Sequence, residues 1–185
     1  MQKESIYFIA IIPPQDISEI ITSFRLDFAD RFRSKAALRV IPHITLKAPF
    51  KLRAEQQEDL RRWFKALSFP AGSFQIELNG FGVFRKKRYP VVFVTPVLGS
   101  QLSSMQAELI SSFRTSFPRI EITAQEMDFH PHITIAYRDL AYASFLEAWK
   151  EYEKKEYAHT FQVDHLSLLQ HDGRVWNVID TVQIR

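Results

Sequence analysis

The tetrapeptide Pro-His-Ile-Thr occurs twice, as Pro42-His43-Ile44-Thr45 and as Pro131-His132-Ile133-Thr134, each time followed by an aliphatic residue, Leu46 or Ile135. The two histidines lie 132 − 43 = 89 residues apart, nearly half of the 185-residue chain. That interval is too long for a solenoid period. It suits two similar α+β lobes facing each other, and the flanking segments rhyme: each half reads as helix, PHIT strand, helix, then two strands.

Residues 5–12 are β-branched and aromatic and read as a buried strand. Asp16-Ile-Ser-Glu19 has the shape of a capping box, followed by a stripe of Ile17, Ile20, Ile21, Phe24, Phe28 and Phe32. This predicts a helix over 17–33. Further helices are expected over 54–67, from a cap at Ser100 with Leu102, Met105, Leu109 and Phe113 inward, and over 142–157 with Phe145, Trp149 and Tyr152 inward. Strands are expected at 42–46, 74–84, 89–97, 131–135, 161–169 and 175–184. The last two are joined by a turn containing Asp172-Gly173. No linker or low-complexity segment interrupts the sequence, which reads as one bilobal domain over 1–185.

Composition removes several classes of chemistry. There is no cysteine, which excludes disulfide frameworks, thiol nucleophiles and cysteine-ligated metals. Five glycines, with no GxGxxG or GxxxxGK, argue against a dinucleotide fold or a P-loop. The apolar run from Ile6 to Ile12 stops at Pro13-Pro14, too short to span a bilayer and without a cleavage site. A soluble cytoplasmic protein is expected, with no membrane partner and nothing that calls for a dimer. A formal charge of +3 permits a polyanionic partner without demanding one.

On a strand, residues i and i+2 share a face. His43 and Thr45 therefore point one way, with Ile44 and Leu46 opposite, and His132 and Thr134 repeat the arrangement. If the lobes face each other, two imidazoles and two hydroxyls converge on one cleft. That set suits phosphodiester chemistry. One imidazole takes a proton from the attacking oxygen and the other gives one to the leaving oxygen. The threonines hydrogen-bond non-bridging phosphate oxygens. No metal or other cofactor is called for.

The paired motifs resemble the signature of the two-histidine (2H) phosphoesterase superfamily, and within it the bacterial 2′-5′ RNA ligase and RNA 2′,3′-cyclic phosphodiesterase group. The likeness runs from Tyr7-Phe-Ile-Ala10 through the strand ending at Phe84 and Val91–Val94 to Val163–Leu169 and Val175–Ile179. It implies a bilobal α+β fold, with the active site between two antiparallel sheets and helices outside. It also implies metal-independent chemistry on cyclic or 2′-5′-linked phosphates of RNA or nucleotides. By that resemblance His43 is proton donor and His132 acceptor in cyclic-phosphate hydrolysis, with Thr45 and Thr134 on the phosphate. One departure is Lys47-Ala-Pro-Phe50, where the group commonly has an aromatic and a glycine; it points to a different substrate.

Other readings remain open. His130, with His132 and His43, offers a three-histidine metal site. A non-catalytic nucleotide or RNA-binding module would use the same cleft. Lys47, four residues past His43, and Arg138, six past His132, fall on the histidine faces and could add charge near the phosphate. Tyr137 falls on the opposite parity and reads as packing. The basic turn Arg85-Lys-Lys-Arg88 reads either as a solvated hairpin tip or, with Arg88 beside Tyr89, as a grip on a nucleic-acid backbone. Phe84 could stack a base, although a chain with 16 phenylalanines makes the core the simpler place for it.

Overall fold

The computed structural model describes residues 4–70 and 72–184. Its strands are β1 (Glu4–Ile11), β2 (Ile44–Arg53), β3 (Phe74–Phe84), β4 (Val91–Pro96), β5 (Ile133–Ala136), β6 (Ala158–Val163), β7 (His165–His171) and β8 (Trp176–Gln183). They form two four-stranded sheets, ordered β2-β1-β7-β8 and β5-β4-β3-β6, with every pairing antiparallel. Each PHIT motif thus leads into an edge strand of its own sheet. The architecture is α+β, as the repeat predicts.

The lobes are not the two halves of the sequence. The stretch 161–169, expected as one strand, breaks at Asp164; β6 stays in the second sheet and β7 opens the return to the first. A single polar residue marks that crossing, because both strands are apolar enough to read as one run. Two helices also cross over. α1 (Gln15–Phe32) follows β1 yet packs on β5, and α3 (Ser100–Ser116) follows β4 yet packs on β2, whereas α2 (Gln57–Lys65) follows β2 and packs on β8 of the same sheet. Each sheet is covered in part by a helix whose sequence neighbours belong to the other.

Local details differ from the pattern. α1 has Pro14 at its N-cap, whose carbonyl accepts from the Ser18 N–H at 2.9 Å; Asp16 lies inside the first turn and caps nothing. Gly99, not Ser100, is the N-cap of α3. α5 (Tyr142–Tyr152) ends five residues before the expected 157, where the stripe of Phe145, Trp149 and Tyr152 would next fall on charged Glu156. A short helix, α4 (Ala124–Met127), precedes the second motif.

The main core joins both sheets: Ile9, Ile11, Ile44 and Leu46 from the first meet Val92, Val94, Ile133 and Ile135 from the second, under Ile21, Phe28, Leu109 and Phe113. On β1, odd-numbered side chains enter this core. Phe8 and Ala10 face the other way, into a small cluster with Leu169, Val40 and Trp176. The first sheet thus carries core on one face and a cleft on the other. Among the described residues no helix is long and apolar enough to cross a membrane.

Candidate active site

The cleft has a volume of about 420 Å³, and His43, Thr45, Thr134, Arg138 and Tyr137 line it together with Arg25, Phe8, His171 and Trp176. Three of the four motif side chains expected to converge are in that lining. His132, just ahead of β5, is not in that lining, but it lies near enough to His43 for its charge to act there.

Both histidines are fixed in the same manner. His43 Nδ1 lies 2.7 Å from the Ile41 carbonyl and His132 Nδ1 lies 2.8 Å from the His130 carbonyl. A carbonyl only accepts, so each Nδ1 carries the proton and donates it. Among the described residues neither Nε2 has a hydrogen-bond partner, so each can accept from a ligand. The proline between carbonyl and histidine restricts the residue before it to extended backbone, although His130 reaches the Asp128 carbonyl in the same way across Phe129.

Aromatic rings back each imidazole. Phe8 lies 4.7 Å from the His43 ring, with Trp176 edge-on to Phe8 at 4.5 Å. Phe84 and Phe93 lie 5.0 and 5.5 Å from His132. Phe84 is therefore a half-buried neighbour of the imidazole, not a core residue. Burial on these apolar walls lowers both imidazole pKa values. His43 falls to about 4, helped by the charges of Arg25 and His132 and opposed by its bond to Ile41. His132 moves the same way, with His130 and Lys86 adding to burial. At neutral pH both rings are therefore neutral acceptors at Nε2. Among the described residues the Thr45 and Thr134 hydroxyls have no protein hydrogen-bond partner, so both are available to a ligand.

Gly82 guards this arrangement. It pairs with Phe93, and a Cβ there would overlap the Cε2–Cζ edge of the Phe93 ring that backs His132. Gly82→Ala is expected to cost about 1–3 kcal/mol through overpacking. Denaturant midpoints check this, and an unchanged midpoint would count against it.

Lys47 leaves the expected face. Two register shifts in the β1–β2 pairing bracket Lys47, between its pairing with Ile9 and those of Phe50 with Tyr7 and Thr45 with Ala10. Each inserted residue reverses the alternation. Lys47 therefore turns into the core, 1% exposed, and its Nζ pairs with Glu126 Oε1 at 2.8 Å. Arg138 stays at the cleft, at a left-handed φ of 60°. Tyr137 also lines it, contrary to the packing role its parity suggests. Arg88 is exposed, its guanidinium over the Tyr89 ring, and the turn's member that acts on His132 is Lys86. His130 is exposed and bonded to the Asp128 carbonyl, and no cluster of three His, Asp or Glu side chains fit for a metal occurs among the described residues. The three-histidine arrangement is not assembled.

Sequence reasoning passed over Arg25. It occupies the buried face of α1 between Ile21 and Phe28, yet it lines the cleft. The signal was present: a charged residue at a stripe position of an amphipathic helix.

A family model described as the 2′-5′ RNA ligase superfamily matches residues 13–175. A Geobacillus kaustophilus protein, named only as a candidate phosphoesterase, is 28% identical over 179 residues, 95% of this chain and 94% of the relative. A similarly named Halalkalibacterium halodurans protein is 26% identical over 180 residues, 96% of each chain. Among solved structures, Escherichia coli LigT complexed with 3′-AMP superposes with a TM-score of 0.69 at 20% identity, over 98% of this chain and 99% of LigT. TT0787 of Thermus thermophilus superposes with a TM-score of 0.69 at 19% identity, over 97% and 98%.

Proposed function

Since the chain belongs to the 2′-5′ RNA ligase superfamily, we propose that its cleft is a metal-independent phosphoesterase site for RNA or nucleotides, hydrolysing 2′,3′-cyclic phosphates or making and breaking 2′-5′ bonds. The observation that carries this reading is the doubled histidine geometry. Two imidazoles, each anchored through Nδ1 to a backbone carbonyl, lie near enough to influence each other, and His43 shares its cleft with two threonine hydroxyls that have no protein partner among the described residues. The relatives named as candidate phosphoesterases, and the 3′-AMP held by LigT, agree with a nucleotide phosphate as the ligand.

In hydrolysis, water attacks phosphorus as one Nε2 removes its proton. The bond from phosphorus to the 2′ or 3′ oxygen breaks, and the other histidine protonates that oxygen from Nε2. Thr45 and Thr134 donate to the non-bridging oxygens. Following the family resemblance, His43 is the donor and His132 the acceptor.

The donor must be charged when substrate reacts. The active free enzyme carries a single Nε2 proton, on one of the two imidazoles, a form that is most populated between their two pKa values. Both lie below 6.5. The kcat/KM profile should therefore peak on the acid side of pH 6.5 and fall towards tenfold per unit above the higher pKa. Bound phosphate, being anionic, raises both values, so the kcat profile should lie at higher pH.

The test is hydrolysis of the four nucleoside 2′,3′-cyclic phosphates, a cyclic-phosphate-ended RNA and a 2′-5′ dinucleotide in excess chelator, with product resolved as 2′- or 3′-phosphate. Turnover with an acid-side kcat/KM maximum is expected. Binding of these compounds without any turnover would overturn the enzymatic reading in favour of a binding module.

A further inference from the structure

We propose that Arg25 is the positioning residue that fixes the two His-x-Thr segments relative to each other, holding them as one phosphate cradle with a buried positive charge beneath it. The inference rests on the functional reading above and deepens it.

The geometry is specific. Arg25 projects from the middle of α1 and is 2% exposed. Its Nε and Nη2 donate to the Thr134 carbonyl at 3.0 and 2.9 Å, while its Nη1 donates to the Val40 carbonyl at 2.6 Å. Thr134 belongs to the second motif, and Val40 lies three residues ahead of His43. The two motif strands are edge strands of different sheets, so no ladder hydrogen bond joins them. One planar guanidinium does so instead, and its fixed fork sets the separation of the two carbonyls.

A second tether lies farther from the chemistry. Asp139, past the second motif, accepts from Ser34 Oγ and from the Lys35 and Ala36 N–H groups ahead of the first. That tether pairs a buried hydroxyl and two backbone N–H groups with a carboxylate. Arg25, in contrast, spends a buried cation on two neutral carbonyls.

Such a charge is expensive to bury. Burial draws its pKa down to about 10, which still leaves it cationic at neutral pH. No carboxylate accepts from it among the described residues. The two N–H groups not used on carbonyls belong to a side chain lining the cleft with Thr45 and Thr134. An uncompensated cation below two free hydroxyls makes the cleft attractive to an anion before any ligand contact forms. Arg25 also lines a second groove, of about 740 Å³, between α1 and the segment that leads to His43. The side chain is thus part of the wall that keeps the cleft a separate cavity.

Two substitutions test the assignment. Arg25→Lys keeps a buried cation but cannot fork across both carbonyls, whereas Arg25→Met removes charge and bonds while filling similar space. With the cyclic phosphate that wild type turns over, Arg25→Met is expected to lose about 10²-fold in kcat, the scale of a misplacement near 1 Å. Arg25→Lys should lose about tenfold with KM within about threefold of wild type, since it keeps the charge but not the spacing. A purely structural role would lower only the folded fraction, leaving kcat per folded molecule unchanged. A folded Arg25→Lys with wild-type kcat overturns the proposal.

Two readouts need no turnover. Imidazole titration by NMR should show the His43 pKa rising in Arg25→Met, because a neighbouring positive charge has gone, and remaining low in Arg25→Lys. A crystal structure of Arg25→Lys should show Thr134 displaced relative to Val40. If wild type is inert on every phosphate offered, the functional reading fails, while these two measurements still decide the role of Arg25. An unmoved His43 titration in Arg25→Met together with unmoved carbonyls in Arg25→Lys counts against it.

Discussion

Alanine at His43 or at His132 is expected to lower kcat by about 10²–10⁴-fold, the usual contribution of one positioned general acid or base. The double variant should fall little below the worse single variant, because acid and base act on the same transfer and their losses do not add. The size of the effect comes from anchoring as much as from residue type. Each ring is tied through Nδ1 to the carbonyl two residues back, so each Nε2 is aimed by the backbone and cannot be replaced by a neighbour swinging in. His130 makes the same kind of bond, to Asp128, but its ring is exposed. His130→Ala is therefore the control, expected to keep kcat within about threefold. Steady-state rates on protein shown to be folded check all four variants. Either single alanine variant retaining a tenth or more of wild-type kcat would sink the two-histidine mechanism.

Much of this site could be read from residues 42–45 and 131–134 alone, because period-two alternation fixes which side chains share a face wherever a strand is regular. Ile44 and Ile133 are fully buried as the alternation requires, and Thr45 and Thr134 line the cleft. Alternation misplaces side chains where the strand is irregular. Lys47 was lost to bulges, which depend on how β2 pairs with β1 and leave no mark in a single strand's sequence. Tyr137 and Arg138 lie past the end of β5, where a left-handed φ at Arg138 ends the alternation and both side chains reach the cleft. Sheet membership was illegible for a different reason. The step at Asp164 from one sheet to the other costs one residue, and pairing partners are set by long-range packing, not by local pattern. Arg25 was legible in principle, as the one charge within the buried stripe of α1, but its carbonyl partners lie 15 and 109 residues away.

The residue that left the cleft carries the second large effect. Lys47→Met is expected to destabilise the protein by about 3–5 kcal/mol at neutral pH, since it removes one partner of a buried ion pair and strands the other. Lys47 and Glu126 are only 1% and 5% exposed in their side chains. The Glu126 carboxylate also accepts from the Ala48 N–H at 2.9 Å and from the Thr123 N–H and hydroxyl at 2.7 and 2.8 Å. Burial pushes its pKa up, but the Lys47 ammonium and the Thr123 bonds outweigh that and hold it below the usual carboxylate value. A depressed carboxyl stabilises the fold above its unfolded pKa, near 4.3, and that contribution is lost as pH falls through the folded value. In Lys47→Met the largest depressing influence is gone and burial pushes the carboxyl upward, so the variant loses stability as pH rises. The gap between wild type and variant should therefore widen from pH 4 to pH 7. Adding Glu126→Gln should recover part of it, because a neutral amide can still accept from Ala48 at far lower desolvation cost, although its NH2 cannot accept from the Thr123 N–H. Denaturant unfolding at pH 4, 5.5 and 7 measures all three proteins; a gap below about 1 kcal/mol at pH 7, or one that does not change with pH, would show that the pair contributes little. The pair also links the segments that matter for chemistry, since Ala48 lies three residues past Thr45 and Glu126 six residues before His132. The bulging that turns Lys47 away from the cleft thus makes it a brace between the two motifs, on the core side of the same strand.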